Sequence, residues 1–133
     1  MRGSNRRREA AKGRQELGVW GNGLFDEDVA ADVRATFEDA WAIGKPVPDI
    51  TRRVLMEYEN AFDDEGDGPQ IVLALAALQL QHGALQPEIR DRALTIIRND
   101  EGMERWVDAG GETLAERRRV LASLQAQLVV FST

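Results

Sequence analysis

The chain contains no cysteine, which excludes disulfides and thiolate metal sites. Histidine is almost as scarce: His82 stands alone, whereas a metal centre needs three or four ligands. No long hydrophobic run is present. The longest strongly apolar stretch, residues 71–80, is about half the ~20 residues a membrane-spanning helix requires. The first sixteen residues hold no apolar stretch, so a secretory signal is not expected there. Lysine occurs only at Lys12 and Lys45; the other basic side chains are arginines. That bias is common in GC-rich genomes and carries no functional weight. No segment alternates apolar and polar residues with period two, which argues against a sheet. These absences leave a soluble, cytoplasmic, all-α protein as the expectation.

What is present is an uneven charge. The net charge is −6. Residues 1–16 carry six basic and two acidic side chains, and the remainder carries eleven basic against twenty-one acidic. An acidic body argues against nucleic acid, because phosphates need neutralising by Lys and Arg. It suits a basic protein partner, or solubility alone. The basic residues 1–16 have no apolar periodicity and are expected to form a flexible extension. Residues 17–133 are expected to form a single helical domain.

Four prolines and several glycines mark off the helices. Asp26 is a good N-cap for a helix over 27–43, with Val29, Val33, Phe37 and Trp41 as its apolar stripe. Gly44 and the linker 45–48 end it. A second helix over 50–62, capped by Asp49, carries Ile50, Val54, Tyr58 and Phe62. An acidic loop follows, and Pro69 suits the first turn of a third helix over 70–82. That helix is apolar almost all round, the mark of a central element. Pro87 opens a fourth helix to 98. A short helical piece around 103–107 brings Trp106 onto the core. Thr113 is placed to cap a last helix over 114–130, with Leu114, Leu121, Leu124 and Leu128 facing inward. The expected architecture is a compact bundle of about five helices.

Ahead of the first helix, Trp20, Gly21, Gly23, Phe25, Asp26 and Asp28 stand in a Trp-Gly-x-Gly-x-Phe-Asp-x-Asp pattern. This pattern resembles the opening of a family of small bacterial all-α proteins of unknown function, in which Asn is usual where Glu27 stands. The resemblance extends over about residues 17–130. It implies a helical fold and no activity. Relatives of this general kind are associated with immunity or antitoxin roles. It also sets the family's usual first residue at Leu17, so residues 1–16 are expected to be either an extension of this member or an artefact of the assigned start. Read from the residues themselves, Trp20 and Phe25 are anchors that pin a glycine-rich turn onto the core.

The acidic loop invites a calcium reading. Asp63, Glu65 and Asp67 fall at the first, third and fifth positions of an EF-hand loop, with Gly68 at the sixth. The twelfth position is Ala74, where a bidentate Glu is required, so the pattern fails. Asp28 and Asp32 share a helix face, but capping accounts for the cluster at 26–28 without a cation. Gly21 and Gly23 lack the Lys-Ser/Thr ending and preceding strand of a phosphate loop. Ser123 and Ser132 lie in no nucleophile context, and His82 reads as a helix-end residue. Trp41 and Trp106 read as core, and Arg117, Arg118 and Arg119 as a solvated face.

No catalytic, cofactor or metal site emerges. The expected function is a non-catalytic interaction module, of immunity or antitoxin kind, whose acidic surface at Asp63, Asp64, Glu65 and Asp67 meets a basic protein. The alternative is a metal-dependent enzyme or small-ligand protein built on the carboxylates of 26–32 and 63–67. A pocket joining the two clusters would favour the alternative; separated carboxylates would favour the module.

Overall fold

The computed structural model describes residues 23–131. Among the described residues seven helices follow one another: α1 (Asp28–Ala42), α2 (Val47–Glu57), α3 (Glu59–Phe62), α4 (Asp67–Gln81), α5 (Pro87–Arg98), α6 (Glu104–Ala109) and α7 (Gly111–Phe131). Five of them exceed six residues, and there is no strand among the described residues. The all-α expectation holds, with two short helices added to the five main ones.

α4 is the central element. Every residue from Ile71 to Leu78 is buried. Burying one Ile or Leu side chain stabilises by roughly 1.5–3 kcal/mol, so this helix dominates the core. α1, α3 and α5 pack around it, and α7 closes the bundle against α5 and α6. No helix among the described residues is long and apolar enough to cross a membrane.

Several boundaries differ from the sequence expectation, each for a physical reason. Glu27, not Asp26, caps α1: its Oε1 accepts a hydrogen bond from the Ala30 N–H at 3.0 Å. Asp26 is exposed in the preceding turn, its own N–H directed to the Gly23 carbonyl. α2 begins at Val47, because Pro46 and Pro48 are tolerated at a helix start, where no N–H is needed. Asp49 is therefore inside the first turn and pairs with Arg52 instead of capping. The second helix also breaks at Tyr58, and its last turn is the separate α3. The Tyr58 hydroxyl reaches the Asp32 carbonyl at 3.1 Å and the Thr36 hydroxyl at 2.9 Å, tying α2 to α1. Thr113 lies within α7 rather than at its cap.

Trp41 is 39% exposed and is not a core residue. A stripe of period four advances about 40° per step around a helix of 3.6 residues per turn. Val33 and Phe37 still face the core, and by the next step Ala40 has taken the buried position. Trp41 instead lies tilted against His82, with ring centroids 4.3 Å apart and ring planes at 35°.

A buried polar cluster joins three helices. Gln79 of α4 donates to the Thr51 hydroxyl of α2 at 2.9 Å and to Gln86 Oε1 at 3.0 Å. It accepts from the Gln86 N–H at 2.8 Å, which satisfies the residue preceding α5.

Candidate functional site

The acidic stretch after Phe62 is built by its own carboxylates and by close backbone packing. Asp64 Oδ1 accepts from the N–H groups of Gly66 at 2.7 Å and Asp67 at 3.0 Å. These two bonds hold the Asp64 carboxyl below its ordinary value of 3.8, with Arg105 adding to the effect. The side chain thus closes an Asx-type turn that launches α4. Gly68 follows at a point where a Cβ would lie 2.4 Å from the Phe62 carbonyl oxygen. Only glycine lets α4 start so close to the end of α3.

Asp67 stands apart from its neighbours. It is the first residue of α4, where a carboxylate suits the positive end of the helix dipole. It accepts from Arg105 Nη2 at 3.0 Å, while Arg105 Nη1 reaches Glu27 Oε2 at 2.6 Å. Burial opposes the Arg105 charge, but the bond to Asp67 and the field of Glu27 outweigh it and raise its pKa. The two acidic clusters do meet, then, with an arginine between them rather than a pocket. Asp28 lies one helix position beyond this pair and is exposed.

Beneath this surface pair lies a buried network. Gln70 Nε2 donates to the Gly66 carbonyl at 3.2 Å and to the Gly102 carbonyl at 3.1 Å. Its Oε1 accepts from Arg117 Nη2. Arg117 is only 3% exposed, so it does not belong to a solvated face. Its guanidinium carbon sits 3.9 Å from the ring centre of Trp106, and that of Arg105 sits 5.4 Å from the same ring. Burial pushes the Arg117 pKa down to about 10, against the favourable field of Glu27. Arg118 and Arg119 are exposed as expected.

Asp63, Asp64 and Glu65 line one wall of an open cleft of about 310 Å³. Glu101 and Glu104 line another wall, Phe62 and Pro69 give it an apolar lining, and Arg92 is the one basic side chain among the described residues that line it. Asp67 does not line it. Of the four carboxylates singled out in the sequence, three come together here and the fourth is engaged by Arg105. Glu101 and Glu104 join them, from the turn before α6 and its first residue. They sit about forty residues away in the chain, where Glu101 follows Asp100 and Glu104 stands between Met103 and Arg105, and no local pattern links them to the loop at 63–67. Among the described residues, no group of three or more His, Asp or Glu side chains is arranged to hold a metal ion. Gly23, Phe25, Asp26 and Asp28 of the aromatic-glycine motif are described, and Phe25 is buried as an anchor should be. Trp20 and Gly21 lie outside the described residues.

A family model described as a domain of unknown function, DUF4259, matches residues 18–129. No curated protein and no solved structure matches the chain.

Proposed function

This chain belongs to the DUF4259 family, and we propose that it is a non-catalytic interaction module whose acidic cleft receives a basic segment of a protein partner. One observation carries the reading: the carboxylates of Asp63, Asp64, Glu65, Glu101 and Glu104 surround a single open cleft with an apolar lining. Such a cleft offers charge to a Lys or Arg head and apolar contact to its stem. The carboxylates come from two separate chain segments, so the fold, not a local run, concentrates them. Carboxylates brought this near repel one another, and a cationic partner would relieve that repulsion. The role is of immunity or antitoxin kind, with the acidic surface masking a basic site, and it is exercised in a bacterial cytoplasm.

The enzyme alternative has less support. Arg105 already neutralises Glu27 and Asp67 where the two acidic clusters approach. Among the described residues, the lining of the cleft offers carboxylates and Arg92 but no histidine, serine, threonine or lysine beside them.

The test uses a variant carrying Asp63→Asn, Glu65→Gln, Glu101→Gln and Glu104→Gln. Asp64 and Asp67 are left intact because they build the turn. A partner captured from host lysate should associate more slowly with this variant, and the wild-type on-rate should fall as salt rises. The variant's melting temperature should equal or exceed that of the wild type. A partner whose on-rate is the same for both proteins at every salt concentration would refute the cleft as its docking site.

A further inference from the structure

α2 has one face that packs and one that stays open. Val47, Ile50, Thr51 and Val54 are buried. Asp49, Arg52, Arg53 and Met56 follow one another at i, i+3, i+4 and i+7 on the other face and are exposed, Met56 to 72%. With Lys45 they line an open groove of about 370 Å³, at whose base lie the buried Ala40 and Ile50. Among the described residues lining it, Lys45, Arg52 and Arg53 stand against Asp49 alone. That reverses the balance of residues 17–133, where acidic side chains outnumber basic ones. Arg52 pairs with Asp49, and Arg53 lies 3.9 Å from Glu57. Both pairs are exposed, so they contribute little and exchange readily for another carboxylate. Lys45 enters no ion pair among the described residues.

The groove and the acidic cleft are complementary in sign and alike in build. Each sets charged side chains around an apolar contact, Met56 in the groove and Phe62 with Pro69 in the cleft. They cannot meet within one molecule. α1 and α4 run side by side in the same direction: Arg105 joins Glu27 and Asp67 at their starts, and Trp41 meets His82 at their ends. The cleft is built around the start of α4, and Lys45 lies just beyond the end of α1. The fifteen residues of α4 separate the two ends by about 22 Å. The molecule is therefore polar along α4, with an acidic end and a basic end.

We infer that the open face of α2 docks into the acidic cleft of a second copy of this chain, an inference that rests on the cleft being a receptor for basic side chains. Lys45, Arg52 and Arg53 meet the carboxylates of Asp63, Glu65, Glu101 and Glu104, and Met56 meets Phe62 and Pro69. The contact joins two different surfaces, so each docked pair keeps one free cleft and one free groove, and association continues head to tail. One helix face against one open cleft is a small interface, so the association is weak and driven by charge. A basic protein arriving at the cleft displaces the second copy.

Sedimentation equilibrium of the full chain tests this. At low salt the weight-average mass should rise with protein concentration up to about 1 mM, a range that reveals a contact with a Kd as weak as about 1 mM. In about 0.5 M salt, which screens charges beyond a few ångströms, it should return to the monomer. Two variants each remove one half of the contact. The groove variant carries Lys45→Gln, Arg52→Gln and Arg53→Gln; the cleft variant carries Asp63→Asn, Glu65→Gln, Glu101→Gln and Glu104→Gln. Each alone should associate about tenfold more weakly than wild type, or less. Mixed in equal amounts they should regain the wild-type affinity yet stop at one-to-one dimers, because the mixture holds one intact groove and one intact cleft per pair. Far-UV circular dichroism of each variant certifies its fold. A wild type that stays monomeric throughout would overturn the inference. So would a groove variant that associates as wild type does, which would assign the contact to another basic region, or a mixture that regains nothing. The groove variant keeps its cleft, so a basic partner captured from lysate should bind it at the wild-type on-rate. That result beside a monomeric wild type would remove the second copy as occupant and leave the cleft as the site of the other protein.

Discussion

Single side chains in this protein take roles that their neighbours of the same type do not. Arg117, Arg118 and Arg119 are identical and consecutive, yet only the first is buried. Asp64 and Asp63 are adjacent, yet only Asp64 caps backbone amides. Its carboxyl is held below its ordinary value of 3.8, so it favours the fold above pH 3.8. That contribution is lost as pH falls through the lower folded value. Melting temperatures of wild type and Asp64→Ala should therefore differ by a constant amount from neutral pH down to about 4, and converge below it. Gly68 is equally specific. Its missing Cβ leaves room for the Phe62 carbonyl, so Gly68→Ala should destabilise by about 1–3 kcal/mol. Urea unfolding of the two proteins measures this. Aspartate identity and the Asp-Asp-Glu-Gly run were visible in the sequence; which oxygen meets which amide was not, since that depends on the path of the turn.

At the scale of elements, apolar periodicity located the five long helices, and most of the differences are at their ends. α5 runs over Pro87–Arg98 as expected, because Pro87 fixes its start. α2 and α4 start three residues early, because proline and glycine in a first turn remove no hydrogen bond that the helix needs. The polar residues of α4 were the harder part. Gln70 and Gln79 are the only polar side chains of that helix that are fully buried, and each joins it to another segment. Gln79→Leu would strand the Gln86 N–H, which then lacks an acceptor in a partly buried position. The expected loss is about 1–3 kcal/mol, with unchanged far-UV circular dichroism in the folded baseline. A glutamine in an apolar helix does signal a buried partner, but the sequence does not say which one.

Across the whole molecule, the acidic surplus is divided between structure and surface. Glu27 and Asp67 are matched by Arg105, which draws together the starts of α1, α4 and α6. Asp63, Glu65, Glu101 and Glu104 stay open along the cleft. Removing Arg105 should therefore act at long range. Arg105→Ala leaves two carboxylates near one another and takes a cation from beside Trp106. It should lower stability by about 1–3 kcal/mol, more than an exposed surface pair would give, because the Glu27 side chain is nearly buried. The basic residues 1–16 present the opposite case. They have no apolar face in their sequence, so their deletion should shift the melting temperature by no more than about 4 °C.

The sequence by itself determined the helical class, the central place of α4 and the gathering of negative charge, since each follows from periodicity and composition within one segment. It marked Phe25 as an anchor for the same local reason. Only the tertiary structure decided that Glu101 and Glu104 share a cleft with Asp63 and Glu65, and that Asp67 does not. The same holds for Arg105 between two acidic clusters and for Arg117 beneath Trp106. These outcomes depend on distances between residues far apart in the chain, and those distances are set by how the helices pack around α4.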